Sequence, residues 1–130
     1  MASVFTKIIN NELPAYRVYE DQEVLAILAM DQVTPGHTLV IPKVEVNHWF
    51  EVPEKTYSQI HLVSQKIGRA LKLAFETPRV LTAAVGFEVP HYHLHLIPAQ
   101  SVEDLNFQKG RRHSSEAMEQ FLAKIKAHLK

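Results

Sequence analysis

A chain of 130 residues is long enough for one domain, which would bury about two-thirds of the surface of its unfolded form. Lys plus Arg and Asp plus Glu each number 14, so no overall field attracts nucleic acid or a membrane surface. The absence of cysteine excludes disulfides and thiolate metal ligands and favours a reducing compartment. The N-terminus has no apolar signal core, and no apolar run approaches the roughly 18 residues of a membrane span. We therefore expect a cytoplasmic protein with neither a membrane nor nucleic acid as its partner.

The first half of the chain predicts short elements joined by turns. Residues 5–9 are apolar enough for a helical turn or a strand, and residues 10–14 predict a turn. Residues 17–20 and 24–29 predict the two strands of a hairpin. Residues 38–42 form a short apolar run bounded by glycine and proline, which is typical of a buried strand.

A long helix is predicted after Pro53, which opens it, as far as residue 76, where Thr77 and Pro78 end it. Its main apolar stripe consists of Ile60, Val63, Ile67, Ala70 and Ala74. Four more apolar residues widen the apolar surface beyond one face: Leu62, Leu71, Leu73 and Phe75. This excess indicates a second burial surface on the helix.

The remaining segments predict two strands and a last helix. Residues 80–85 and 90–97 are the predicted strands. Ser114 or Ser115 should cap a helix that extends to about residue 129. Its apolar face consists of Met118, Phe121, Leu122, Ile125 and Leu129. The whole pattern predicts an α+β fold with an antiparallel sheet of about five strands.

Three histidines alternate with apolar or aromatic residues at positions 91, 93 and 95. Because side chains alternate along a strand, the three imidazoles would project from one face. Tyr92, Leu94 and Leu96 would then project from the other face, into a core. A buried strand has no structural need for a row of imidazoles, so the pattern indicates a chemical site.

Two kinds of chemistry use such a row. On a strand, alternate residues lie roughly 6.6 Å apart, which puts the outer two histidines about 13 Å apart. A zinc ion holds its nitrogen ligands at about 2.0–2.1 Å, so a metal would use two of the three and take other ligands from elsewhere. A covalent mechanism uses all three more naturally, since the middle imidazole attacks and its neighbours set its tautomer and handle the leaving group.

Residues 91–97 resemble the signature of the histidine triad (HIT) superfamily of nucleotide hydrolases and transferases. Residues 34–43, Thr-Pro-Gly-His-Thr-Leu-Val-Ile-Pro-Lys, are similar to a second family segment, and residues 4–14 with 18–21 to a third. The resemblance covers residues 4–98 in order. It implies a single HIT domain over residues 1–130 with a C-terminal extension, whose helix occupies about residues 114–129, and a homodimer supported by the long helix.

The resemblance also implies a role for each histidine of the triad. His93 would attack the α-phosphorus of a nucleotide and form a nucleotidyl-histidine intermediate that water hydrolyses. His95 would contact phosphate oxygens and the leaving group, and His91 would orient the others. His37 would belong to the same pocket. The other histidines are expected at the surface or at helix caps, and they are His48, His61, His113 and His128.

In the family, the segment before the triad donates backbone N–H groups to the phosphate, which makes Gly86 and Glu88 candidate phosphate-binding residues. The sequence departs from the family here, since Phe87 stands at the usual Gln and Glu88 at the usual Ser or Thr. Ala29, next to Met30, stands where many members carry a ribose-binding Asp. The catalytic row is therefore complete, whereas the nucleoside-recognition set is depleted.

Many members carry a zinc ion on an N-terminal Cys-x-x-Cys, and the corresponding positions here look like Ser3 and Thr6. We therefore expect neither a metal nor a cofactor. The leading hypothesis is a hydrolase that cleaves a phosphoramidate or phosphoanhydride bond of a nucleotide. The alternatives are a nucleotide-binding or regulatory module with little turnover, and a metal enzyme that uses two histidines of the triad.

Overall fold

The computed structural model describes residues 2–129, so residues 1 and 130 of the predicted domain lie outside the described residues. Five strands form one antiparallel sheet: β1 Arg17–Glu20, β2 Val24–Leu28, β3 Thr38–Pro42, β4 Arg79–Ala83 and β5 Leu94–Ala99. Three α-helices join them: α1 Val4–Ile9, α2 Glu54–Phe75 and α3 Ser115–Ala127. Short 3-10 turns occupy Trp49–Glu51, Val102–Asp104 and Phe107–Lys109. The predicted α+β class, with five strands, a long helix and a C-terminal helix, is confirmed.

The strand order β1-β2-β3-β5-β4 puts β2, β3 and β5 in the interior of the sheet, where every residue of the three strands is buried. Side chains of alternate residues form two cores. One core lies under α2 and α3 and includes Val40, Tyr92, Leu94 and Leu96. The other lies under α1 and includes Leu25, Ile27, Leu39 and Ile41 together with Phe5. His95 pairs with Leu39, so its imidazole projects on the α1 side.

The long helix forms as its sequence predicts. Pro53 occupies the N-cap position of α2, and Glu76 ends the helix in the left-handed conformation at φ 52°. Ile60, Val63, Ile67 and other residues of the stripe are buried. Leu62 and Leu73 are exposed in the isolated chain. In this part of the chain, residues 2–129, no helix has the length and apolarity needed to cross a membrane.

The C-terminal extension packs onto the first core. Ser114 caps α3, because its hydroxyl oxygen accepts a hydrogen bond from the Ala117 N–H at 3.1 Å. Met118 and Ile125 are buried, and Phe121 packs against Phe75 of α2. The predicted cap and apolar face are therefore confirmed.

The bounds of the last two strands differ from the prediction, and the expectation that the whole histidine row lies on a strand was wrong. β5 begins at Leu94, which pairs with Val40. Continued in this register, the next pair would be Ile41 with His93 and the one after it residue 92 with Pro42, which has no N–H to donate. The Tyr92 N–H instead donates to the carbonyl of Val46 at 2.7 Å, so the chain leaves the ladder before Leu94.

Candidate active site

The imidazole of His93 is held with one nitrogen free. Its Nδ1 lies 2.8 Å from the backbone carbonyl of His91, and a carbonyl oxygen can only accept, so Nδ1 carries the proton. Nε2 is therefore the unprotonated nitrogen, and among residues 2–129 it makes no hydrogen bond. Burial lowers the pKa of His93 and outweighs the hydrogen bond to the His91 carbonyl, which raises it, so the ring is neutral at pH 7. Nε2 of His93 therefore has a lone pair that is available to react.

His91 is completely buried and fixed at both ring nitrogens. Its Nε2 donates to the carbonyl of Pro42 at 2.8 Å, so its Nδ1 is an acceptor. The hydroxyl of Ser3 fills that position, 2.7 Å from Nδ1. Burial lowers the pKa of His91 and keeps it neutral. The carbonyl of this anchored residue is the one that sets the tautomer of His93.

His95 has the opposite tautomer, and His37 sets it. The Val33 N–H donates to Nδ1 of His37 at 3.1 Å, which leaves the His37 proton on Nε2. That Nε2 lies 2.9 Å from Nδ1 of His95 and donates to it. His95 must therefore carry its own proton on Nε2. Burial lowers the pKa of His37 to about 4 and that of His95 to about 3, so this relay of neutral rings is intact at pH 7.

Two phenylalanines shield the row of histidines. The ring of Phe5 on α1 lies edge-on to His93, with 4.8 Å between ring centroids, and 5.7 Å from His91. The ring of Phe107 lies 4.7 Å from that of His95. These contacts exclude water from the rings, which strengthens the electrostatic interactions inside the site. The 3-10 turn that carries Phe107 belongs to the tail, for which the sequence predicted no role.

A cavity of about 390 Å³ opens at His93. Its other walls include Gly86, Phe87, Trp49 and His48. Gly86 has a φ of +80°, a conformation that favours glycine, and Phe87 next to it is 94% exposed. Glu88 is also exposed, and its charge raises the pKa of His93 against the effect of burial. The cavity thus leaves space for a ligand beside His93.

The structure brings the four predicted histidines of the site together and leaves the nucleoside-side candidates at its margin. Ala29 lies at the end of β2, where its N–H donates to the carbonyl of His37 at 2.9 Å. Ala29 is buried, and Met30 beside it is exposed. Of the histidines expected elsewhere, His61 is exposed on α2 and His128 is the C-cap of α3.

Gln32 supports the site and was not predicted from the sequence. Its side-chain amide donates to the carbonyls of Ala29 and His37, at 2.7 and 2.8 Å, and its oxygen accepts from the Gly36 N–H at 2.8 Å. Gln32 is 1% exposed and shapes the turn that carries His37. A single polar residue in a turn gave no pattern that predicts this role.

Comparisons with known proteins agree with the fold. A model of the HIT domain matches residues 10–102. An uncharacterized HIT-like protein of Borreliella burgdorferi is 39% identical over 116 residues, which cover 84% of this chain and 84% of that protein. The structure of a Hit-like protein from Bartonella henselae has a TM-score of 0.89 and 32% identity and covers 98% of this chain and 96% of its own. The chain therefore belongs to the histidine triad (HIT) family.

Two relatives of the chain are named as hydrolases. The adenosine 5'-monophosphoramidase of Saccharomyces cerevisiae is 31% identical over 100 residues, covering 75% of this chain and 62% of that protein. The adenylylsulfatase of Arabidopsis thaliana is 32% identical over 135 aligned positions, covering 97% of this chain and 68% of that protein.

A zinc-bound histidine triad protein from Mycobacterium smegmatis has a TM-score of 0.84 and 32% identity, covering 99% of this chain and 94% of its own. The residues of this chain do not fit zinc at the Ser3 and Thr6 positions, because hydroxyls replace thiolates and the Ser3 hydroxyl is committed to His91. Between residues 2 and 129, no three His, Cys, Asp or Glu side chains are grouped so that they could hold a metal ion.

Proposed function

We propose that the protein is a nucleotide hydrolase that cleaves a bond at the α-phosphorus through a covalent nucleotidyl-histidine. The observation that carries this proposal is the pair of opposite tautomers on adjacent rings. His93 presents an unprotonated Nε2, and His95, whose ring centroid is 4.9 Å from that of His93, presents an Nε2–H. A nucleophile and a hydrogen-bond donor thus stand side by side.

In the first step, Nε2 of His93 attacks phosphorus, a P–N bond forms and the leaving atom takes the electron pair of the bond that breaks. The ring becomes positively charged, and the His91 carbonyl that accepts its Nδ1–H stabilises that charge. The Nε2–H of His95 donates to an oxygen on which negative charge grows. Water then attacks the phosphorus, the P–N bond breaks and its electron pair returns to Nε2. The proton that the water loses balances the proton that the leaving group takes up from solvent.

The proposed substrates are nucleotide phosphoramidates, with dinucleoside polyphosphates as the poorer class. The carboxylate of Glu88 is close enough to influence the charge of His93, so it favours a cationic amine leaving group and opposes a polyphosphate. Backbone N–H groups at Gly86 and Glu88 are proposed to face the phosphate. Ala29 and Met30 are proposed to border the ribose. A cytoplasmic location and the absence of a cofactor remain expectations.

The test is His93→Ala assayed on AMP and GMP phosphoramidates and on dinucleoside polyphosphates. Because only the covalent step is removed, we expect turnover to fall more than about a hundredfold, or about 2.7 kcal/mol, with nucleotide binding largely retained. His128→Ala, exposed at the C-cap of α3, is the control and should keep wild-type turnover. Phosphorus from a labelled substrate should be trapped on His93 of the wild-type protein.

A nucleotide-binding module with little turnover is the second candidate. Ala29 and Phe87, in place of the family's polar residues, favour it. Tight nucleotide binding without any trapped intermediate would support this candidate against the hydrolase. Activity lost to a chelator and restored by a metal would instead support the metal enzyme.

A homodimer that uses α2 and the edge strand β4 completes the proposal. A second cavity of about 390 Å³ lies between these elements and is lined by Gly68, Val80 and Thr82. The hydroxyl of Ser64 at its wall is buried, and among the described residues it has no hydrogen-bond partner. A second copy seated here would supply a partner for this group and cover the unpaired edge of β4.

A further inference from the structure

We propose that Ser3 is a positioning residue for His93 and acts through His91. This inference rests on the proposed function, since it assigns His93 as the nucleophile. It concerns a residue that touches none of the reacting atoms and that marks, in relatives with Cys-x-x-Cys, a metal position. In this chain the residue at that position belongs to a hydrogen-bond network that holds His91.

Three hydrogen bonds connect Ser3 to His93. The Ser3 hydroxyl donates to Nδ1 of His91 at 2.7 Å, and Nε2 of His91 donates to the Pro42 carbonyl at 2.8 Å. The His91 carbonyl then accepts from Nδ1 of His93 at 2.8 Å. His91 precedes β5, so no strand pairing fixes its carbonyl. Its anchored imidazole therefore restricts where the carbonyl points.

Ser3 itself is firmly placed by α1. Its Oγ accepts from the Thr6 N–H at 3.0 Å as the N-cap of the helix. Two acceptors lie within reach of its proton, and Nδ1 of His91 at 2.7 Å is closer than the Thr6 hydroxyl at 3.3 Å. Its backbone N–H donates to the carboxylate of Glu45 at 3.0 Å, and the Thr6 hydroxyl donates to the same oxygen at 2.5 Å. Phe5, one turn into this helix, packs against His93. The start of α1 thus contributes both the anchor of His91 and a wall of the site.

A second serine N-cap, Ser114, provides a control that distinguishes an effect on His91 from the loss of a helix cap. Ser114 caps α3 with the same geometry, since its Oγ accepts from the Ala117 N–H at 3.1 Å, and none of its hydrogen bonds involves a histidine. Ser3→Ala and Ser114→Ala each remove one N-cap, so we expect both to lower Tm by a similar amount. Only Ser3→Ala removes a donor to His91.

The experiment measures the imidazole ¹⁵N spectrum of the ligand-free protein together with kcat and KM. In the wild type we expect His91 protonated on Nε2 and His93 on Nδ1. Ser3→Ala should convert His93 to a mixture of tautomers and lower kcat about 3- to 10-fold, the effect of one hydrogen bond, while KM changes less than about twofold. Ser3→Thr keeps the hydroxyl and should restore the wild-type spectrum and kcat.

Equal losses of kcat in Ser3→Ala and Ser114→Ala would overturn the proposal, because a general loss of stability would then account for both. An unchanged His93 tautomer in Ser3→Ala would overturn it as well. The ¹⁵N spectrum needs no substrate, so it tests the network even if the wild-type protein hydrolyses none of the nucleotides. A wild-type protein that hydrolyses none of the nucleotides would contradict the proposed function and would leave the role of Ser3 to be decided by the spectrum.

Discussion

At the scale of single residues, four neutral histidines fill a space from which water is excluded. Their hydrogen bonds require the neutral form, since His37 and His95 each use one nitrogen as an acceptor. Burial lowers the pKa of His37 to about 4 and that of His95 to about 3. In an unfolded chain a histidine has a pKa of about 6.5. Acid should therefore favour the unfolded chain.

The first prediction at this scale is a loss of stability between pH 6.5 and 4. Since the folded pKa values lie below the unfolded ones, the unfolded chain binds more protons in this window, and the free energy of unfolding falls as pH falls. Relative to pH 7.5, protonation linked to each of the two residues should lower the free energy of unfolding at pH 5 by about 2 kcal/mol. Urea titrations at several pH values measure this directly.

His37→Asn should remove the share of that slope due to His37. A free energy of unfolding that stays constant from pH 7.5 to 5 would contradict the assignment of neutral, buried rings.

The sequence predicts the histidines of the candidate site better than it predicts the residues that support them. Three imidazoles at alternate positions form a pattern with no packing explanation, and the resemblance adds His37. The partner of His91 is Ser3, which is 88 positions away, and nothing near Ser3 in the sequence signals that pairing. Phe107 and Gln32 are likewise ordinary residues until the fold brings them to His95 and His37.

At the scale of elements, the turn before β3 is fitted closely to the end of α2. Gly36 has a φ of +98°, and a Cβ placed there would lie 2.5 Å from the ring of Phe75. That ring packs edge-on against Phe121 of α3, so it has little freedom to move away. The turn that carries His37 therefore depends on how the two helices pack.

We predict that Gly36→Ala lowers the free energy of unfolding by about 2–4 kcal/mol, the sum of a strained backbone and an overpacked core. Gly68→Ala is the matched control, because a Cβ there meets nothing within 4 Å and alanine favours the helix. It should raise the free energy of unfolding by about 0.5–1 kcal/mol. Chemical denaturation of both variants measures these changes. An unchanged free energy of unfolding in Gly36→Ala would show that the ring of Phe75 moves to make room for the new Cβ.

Caps and apolar stripes account for the success of the helix predictions. Pro53 and Ser114 are the N-cap residues of α2 and α3. Each acts on the first turn of its own helix, so the local sequence is enough to predict it. The start of β5 could not be obtained in this way. It depends on Pro42 standing opposite Tyr92, and that register exists only after β3 and β5 have paired.

At the scale of the whole molecule, the proposed homodimer predicts a change in mass. Gly68 lines the cavity between α2 and β4, and it has open space around it in the single chain. A long side chain there should leave the monomer folded and block a second copy. We expect the wild type to have twice the chain mass by light scattering and Gly68→Arg to be a monomer with an unchanged circular dichroism spectrum. A wild-type monomer at micromolar concentration would contradict the dimer.

The order of contacts along the chain has a consequence for biosynthesis. His37 and His95 are 58 positions apart, which a ribosome needs about 3–12 seconds to cover at 5–20 residues per second. During that delay β3, a strand that is entirely buried in the fold, has been made and its neighbour β5 has not. The edge of β3 that later pairs with β5 is unpaired during this time, so nascent chains can aggregate through it. Because His95 and its neighbour Phe107 are made late, the proposed chemistry cannot begin before residue 107 has been synthesised.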